Sequence, residues 1–297
     1  MKLLRIPLLI NSLALSLACD REALEADIPA YVHIDALELR TNYVADGSAS
    51  HKITTIWVEV NGKTIGAFEL PATFPVIEKG PVSIRIDAGI NENGMSATRT
   101  LYPFYTPFET TIDLQSLDTV TVTDDQGQTP FVEYRSFSTV EVLEDFDGVG
   151  LKMEISPKSD TLLYRTNDST AIFQWGSEPN DFSGVAQLSD RDMLFEIRTE
   201  DELTNLPLGA PVFLELNYKC DLALVAGMYV NSASQGEIQA ATARINPSEE
   251  WNKIYINLYS EVNGYPNVLG YRVFLGAINF EGRGPKTLYL DNIKLLY

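Results

Sequence analysis

The chain has 297 residues, with 41 Asp and Glu against 22 Lys and Arg, and a formal charge of −19. A charge of that sign repels polyanions at long range, which excludes nucleic-acid binding. Two histidines and two cysteines are too few, and too far apart in sequence, for a zinc site.

The first residues read MKLLRIPLLINSLALSLAC. Lys2 and Arg5 form a short basic region, and residues 8–18 an apolar core too short for the roughly 20 residues that a membrane-spanning helix needs. Small Ser16 and Ala18 stand before Cys19. The pattern resembles a bacterial lipobox, with Ser16 where Leu is usual. The resemblance implies that residues 1–18 are a signal peptide and that Cys19 is acylated to become the mature N-terminus. An ordinary secretory signal cleaved nearby is the alternative. Residues 19–27 hold Asp20, Glu22, Glu25 and Asp27 with Arg21, a solvated tether with no packing face. This acidic stretch resembles the surface-export signal of Bacteroidetes lipoproteins, which implies a lipid-anchored protein on the outer face of an outer membrane.

Strand signals dominate the body. In ITTIWVEV, Ile56, Val58 and Val60 alternate with Trp57 and Glu59, Asn61-Gly62 follows, and KTIGAFEL resumes the pattern. Asn-Gly between two such runs predicts a hairpin with a type I′ turn, because both residues tolerate positive φ. VSIRI and TVTVT continue the alternation, and prolines 71, 75, 81, 103 and 107 mark edges and loops. Residues 28–134 are therefore read as a first, small β domain. Its VNGKTIG hairpin and PVIEKG turn resemble β-sandwiches of the transthyretin or immunoglobulin type. The segment as a whole resembles the N-terminal part of a family of uncharacterised Bacteroidetes lipoproteins.

Residues 135–297 read as a second domain with strands at STVEVLEDF, AIFQW, DMLFEI, PVFLELNY, LALVAGMYV, NKIYINLY, YRVFLGAI and KTLYLDNIKLLY. Eight short strands suit a jelly-roll sandwich. Cys220 shares its parity with Val212, Leu214, Leu216 and Tyr218 and is predicted to be a buried, inert thiol. Thr199 and Glu202 have capping-box spacing, which predicts one short helix over residues 199–206. LEDFDG, WNKIYINL and TLYLDNIKLLY stand in the order of the landmarks of galactose-binding-like jelly rolls, which include many carbohydrate-binding modules. The fold expected is all-β, with two sandwiches.

Leu288 and Leu290 share one parity, and Ile293 and Leu295 the other, so the phase slips at Asp291-Asn292 as in a β-bulge. The jelly-roll resemblance implies a structural calcium ion held there by Asp291 with Glu144 or Asp145. Without calcium, Asp291 would cap the bulge through its own backbone. Glycan binding needs exposed rings flanked by hydrogen-bonding groups, and the candidates are Trp175, Tyr255, Asn257, Tyr265 and Tyr271. Catalysis has little support: no nucleophile elbow, P-loop or dinucleotide fingerprint occurs. Ser48, Ser50 and His51 of GSASH are too close in sequence for triad geometry, and His33 stands alone. The function expected is a non-enzymatic, surface-anchored binding lipoprotein whose partner is a glycan or an envelope protein. An assembly component of the envelope and a glycan hydrolase are the alternatives.

Overall fold

The computed structural model describes residues 27–280 and 284–297. The expected signal peptide, Cys19 and nearly all of the expected acidic tether lie outside the described residues. Within them, no helix is long and apolar enough to cross a membrane.

The first sandwich runs through β1 (Ala30–Ile34), β2 (Glu38–Arg40), α1 (Tyr43–Asp46), β3 (Thr55–Val60), β4 (Lys63–Glu69), β5 (Ala72–Val76), β6 (Gly80–Asn91), β7 (Arg99–Leu101), β8 (Phe108–Leu114), β9 (Thr119–Thr121) and β10 (Phe131–Glu133). One sheet has the order β4-β3-β6-β7, with β8 also on β6; the other layer is β5-β1-β9 and β10-β2. Period-two alternation drives the packing: Val32, Ile34, Phe74 and Val76 share one core with Ile56, Val58, Ile84 and Ile86. The hairpin forms where expected, with Asn61 at φ 50° and Gly62 at φ 73°.

The second sandwich contains β11 (Val140–Glu144), β12 (Met153–Ile155), β13 (Tyr164–Thr166), β14 (Ser183–Leu188), β15 (Leu194–Thr199), β16 (Phe213–Cys220), β17 (Leu224–Ser232), β18 (Gly236–Ile245), β19 (Ser248–Asn257), α2 (Tyr259–Asn263), β20 (Val268–Ile278) and β21 (Lys286–Leu296). A six-stranded sheet has the order β13-β14-β21-β16-β19, with β11 pairing the C-terminal end of β21, and a five-stranded sheet the order β12-β15-β20-β17-β18. Both contribute to a single core, and Cys220 is buried in it as expected.

Two sequence expectations fail here. No helix spans residues 199–206: Thr199 ends β15, and Leu203 instead exchanges backbone hydrogen bonds with Tyr271 of β20 at 2.8 and 3.0 Å. Pairing with a sheet edge satisfies the same N–H groups that a helix would leave to its cap. AIFQW is not a strand either. Ala171 and Ile172 donate back to the Asp168 carbonyl in a turn, and Phe173 N donates to Ser183 Oγ.

The phase slip at Asp291-Asn292 is a bulge. Register shifts there against β16, and Asn292 adopts φ 47°. The slip keeps Ile293 and Leu295 in the core and sends Lys294 and Leu296 to the outer face of the six-stranded sheet. That face is where the first sandwich docks. Phe213, Tyr255 and Leu296 belong to the first sandwich's apolar core, although their strands belong to the second.

Candidate functional site

The two outer faces of the second sandwich have different fates. On the six-stranded side the first sandwich seals a polar layer. Glu215 is 0% exposed; Tyr102 Oη donates to its Oε1 at 2.7 Å and Tyr134 Oη to its Oε2 at 3.1 Å. Lys253 Nζ lies 2.8 Å from the same Oε2, close in distance but poorly angled for a hydrogen bond. Burial raises the Glu215 carboxyl, but Lys253, Lys294 and the hydrogen bonds together outweigh it and hold the group below the usual carboxylate range. Burial, with Lys253 adding to it, pushes His51 down to about 4. Its ring meets Trp175 edge-on, with centroids 5.1 Å apart.

This covering displaces several expected contacts. Tyr255 does leave the core of its own sandwich, but it is 1% exposed; its hydroxyl accepts from Lys52 N at 2.9 Å and neighbours Tyr105 Oη. A ring sealed between two domains offers no platform to a sugar. Tyr271 is buried on the inner parity, donating to the Val262 carbonyl at 2.8 Å. Trp175 and Tyr265 are half-buried, Trp175 stacked on Phe173 and Tyr265 packed against the core. Asn257 holds the next turn, accepting from Tyr259 N at 2.9 Å. Ser48 and Ser50 also serve the contact rather than a triad: Ser48 Oγ donates to Glu178 and Ser50 Oγ to Asn217 Oδ1 at 2.7 Å. His33 pairs with Thr73 Oγ1.

The expected calcium ligands are each held by protein donors. Glu144 accepts from Phe146, Lys152 and Met153 N–H groups. Asp291 accepts from Ser183 Oγ, Asn180 Nδ2 and its neighbour's N–H, and burial pushes it up to about 7. Asp145 faces Lys152 at 3.3 Å. Among the described residues no three His, Cys, Asp or Glu side chains gather closely enough to hold a metal. At the Asp291-Asn292 bulge, the groups that meet the Asp291 carboxylate are Ser183, Asn180 and the Asn292 N–H.

The five-stranded sheet keeps its outer face open, and a cleft of about 830 Å³ lies over it. Core residues Phe195, Ile197, Leu224, Ala226, Val273 and Leu275 point inward, so the opposite parity faces the cleft. Register aligns one row across four strands: Glu196 beside Gly276, Gly276 beside Val225, Val225 beside Arg244. With strands about 4.8 Å apart, that row sets a carboxylate and a guanidinium on backbones roughly 14 Å apart, with small side chains between. The floor is apolar. Phe274 lies over Gly227, where a Cβ would stand 2.1 Å from the Ala240 carbonyl and 2.9 Å from the Phe274 ring. Glycine is required there for β17 and β18 to close beneath the ring. Leu222, Ile278 and Phe280 raise an apolar wall, the last two 51% and 58% exposed.

Beside this floor stands a closed polar ring. Lys158 Nζ donates to Tyr229 Oη (2.9 Å) and Gln239 Oε1 (2.8 Å); Tyr229 Oη and Gln239 Nε2 each donate to Glu196 at 2.6 Å. The bond to Tyr229 raises the Lys158 ammonium above its usual range. Every member has its partner before a ligand arrives, so the ring is pre-organised. None of these residues is among those that the sequence singles out. Their signal is present in it all the same: Glu196 in LFEIRT, Tyr229 in LVAGMYV and Gln239 in GEIQAATAR are polar groups on the parity opposite the core.

No protein-family model matches this chain, and no curated protein matches it. Solved structures similar to this chain include three of β-sandwich or phage origin. A study of promiscuous specificity in carbohydrate-binding modules of the beta-sandwich superfamily supplies one, 12% identical over 82% of this chain and 86% of that one, with a TM-score of 0.39. A family 11 carbohydrate-binding module of a cellulosomal cellulase from Clostridium thermocellum is 16% identical over 52% of this chain and 93% of its own, at 0.35. The enzymatically active domain of a bacteriophage CBA120 tailspike protein is 8% identical over 61% of this chain and 25% of its own, at 0.39. At such TM-scores none of the three fixes a ligand, a site or a reaction for this chain.

Proposed function

We propose that this chain is a non-enzymatic glycan-binding protein, held by a lipid on Cys19 at the outer surface of a bacterial outer membrane. The observation that carries the glycan assignment is the cleft over the five-stranded sheet. Sugar rings present apolar C–H faces bordered by hydroxyls, and an apolar floor edged by fixed donors and acceptors complements both. A volume of about 830 Å³ accommodates more than one sugar ring. The lipobox-like leader and the acidic stretch after it support the location.

Binding is favoured over hydrolysis by the state of Glu196. Most glycosidases need a pair of carboxylates, one of them free to give up a proton. Both oxygens of Glu196 are taken by Tyr229 and Gln239, which leaves Asp221 as the other carboxylate lining the cleft among the described residues. An acceptor locked by two donors is suited to positioning neighbours.

The test is a glycan-array screen of the full chain beside Ala241→Trp. Ala241 is an exposed cleft residue on β18, so an indole there fills the cleft without entering the core. The expected result is a set of glycans bound by the wild type and lost, at least tenfold, in Ala241→Trp with an unchanged melting temperature. An array silent for the wild type, or binding that survives the tryptophan, rejects the assignment.

A further inference from the structure

The cleft reverses the charge of the molecule around it. Its lining holds Lys158, Arg244 and Lys286 against Glu196 and Asp221, in a chain whose formal charge is −19. The two acids are occupied: Glu196 by Tyr229 and Gln239, Asp221 by the Thr287 N–H at 2.9 Å. Lys158 donates to neutral oxygens, so its charge has no counter-ion in contact. The side chains of Arg244 and Lys286 carry no hydrogen bond or ion pair from any described residue, although those of Arg40, Arg85, Arg99 and Arg198 elsewhere are each paired with carboxylates.

Position adds to composition. Arg244 closes the row Glu196–Gly276–Val225–Arg244, so it stands at the far wall from the polar ring with the apolar floor between. Lys286 begins β21 and lines the same cleft. A guanidinium offers two parallel N–H donors matched to the oxygens of a carboxylate or sulfate, and an ammonium adds a point charge.

We propose that the cleft takes an anionic saccharide, one bearing carboxylate or sulfate groups, with the anion seated on Arg244 and Lys286 and the neutral ring on the apolar floor at Val225, Ala241 and Ile278. The proposal rests on the glycan assignment above and names the class of sugar. The acidity of the whole chain does not oppose it at close range. At physiological ionic strength the Debye length is about 8 Å, so distant carboxylates are screened while contacting cations are not.

The experiment is titration calorimetry of the full chain with polygalacturonate, its fully methyl-esterified form, dextran sulfate and unmodified dextran. Each is run on wild type, Arg244→Gln with Lys286→Gln, and Ala241→Trp, with melting temperatures recorded for all three. The expected result is at least tenfold tighter binding of one charged polymer than of its neutral counterpart, lost in the Arg244→Gln, Lys286→Gln variant with no change in melting temperature. The polymer preferred tells carboxylate from sulfate. Neutral polymers bound as tightly as charged ones, and blocked by Ala241→Trp, overturn the anionic class and leave the glycan cleft standing. Charged binding that survives loss of both cations also overturns it. Silence with all four polymers, if glycan-array hits are abolished by Ala241→Trp, again rejects the anionic class alone; silence on the array as well rejects both.

Discussion

Glu215 sits on the outer parity of β16 with no exposure, between two lysines from its own sheet and two tyrosines from the other sandwich. Taking a carboxylate and an ammonium out of water costs several kcal/mol each, and their attraction returns roughly what was lost. The cluster is thus worth little as a source of stability and much as a constraint: each member is tolerable only while the others are present. Glu215→Leu leaves the Lys253 ammonium buried without the carboxylate it faces, and the expected cost is about 3–5 kcal/mol by urea unfolding at neutral pH. Adding Lys253→Met to it should recover at least half. If the single variant costs under 1 kcal/mol, or the second change recovers nothing, the lysines are solvated and the account of this layer is wrong.

At the scale of elements, the bulge in β21 is legible in the sequence because it breaks parity within one strand. Leu288 and Leu290 against Ile293 and Leu295 are visible there, as are Asn61-Gly62 and the runs around Ile56, Ile84 and Leu214. What the bulge is for is not legible. The donors that occupy Asp291 come from Asn180 and Ser183, over a hundred residues away, and no local pattern announces them. Because Asp291 is already met by those donors, the melting temperature of the full chain is expected to be the same in calcium and in chelator. A rise with calcium, abolished by Asp291→Asn, would show that the metal displaces them. Strands β14 and β18 escape a sequence reading for a related reason. SGVAQL and GEIQAATARI are too polar to stand out, and they are strands because β21 and β17 offer them partners. Tyr255 shows the same limit: alternation tells inward from outward, but it does not tell which outward face another sandwich will cover. Tyr255 has the outward parity and is buried all the same.

For the molecule as a whole, the covered face makes the two sandwiches share a proton balance. Lys294 Nζ, 0% exposed on β21, donates to the Ser48 carbonyl of the first sandwich at 2.6 Å. Burial, with Lys253 beside it, pushes its pKa down to about 7 from the ordinary 10.5, against the opposing pull of Glu215, Glu178 and Asp46. An unfolded chain keeps this proton up to about pH 10.5, while the folded one sheds it near 7. Between those values the unfolded state binds more protons, so stability rises with pH, by at most about 1.4 kcal/mol per unit. Other groups are separable by range. His51, lowered to about 4, removes stability as pH falls below 6.5. Asp291, raised to about 7, does the reverse, since its buried carboxyl favours the protonated fold as pH falls from 7 toward 3.8. Above about 9, Cys220 begins to count against stability, because burial holds its thiol protonated in the fold. The interval from pH 7 to 9 therefore belongs chiefly to Lys294. Urea unfolding at intervals of one unit across it should show the wild type gaining up to about 2–3 kcal/mol, and Lys294→Met losing that slope. A flat wild-type profile, or the same slope in the methionine variant, would mean that Lys294 keeps its charge in the fold and that the sandwiches meet around an ammonium rather than an amine.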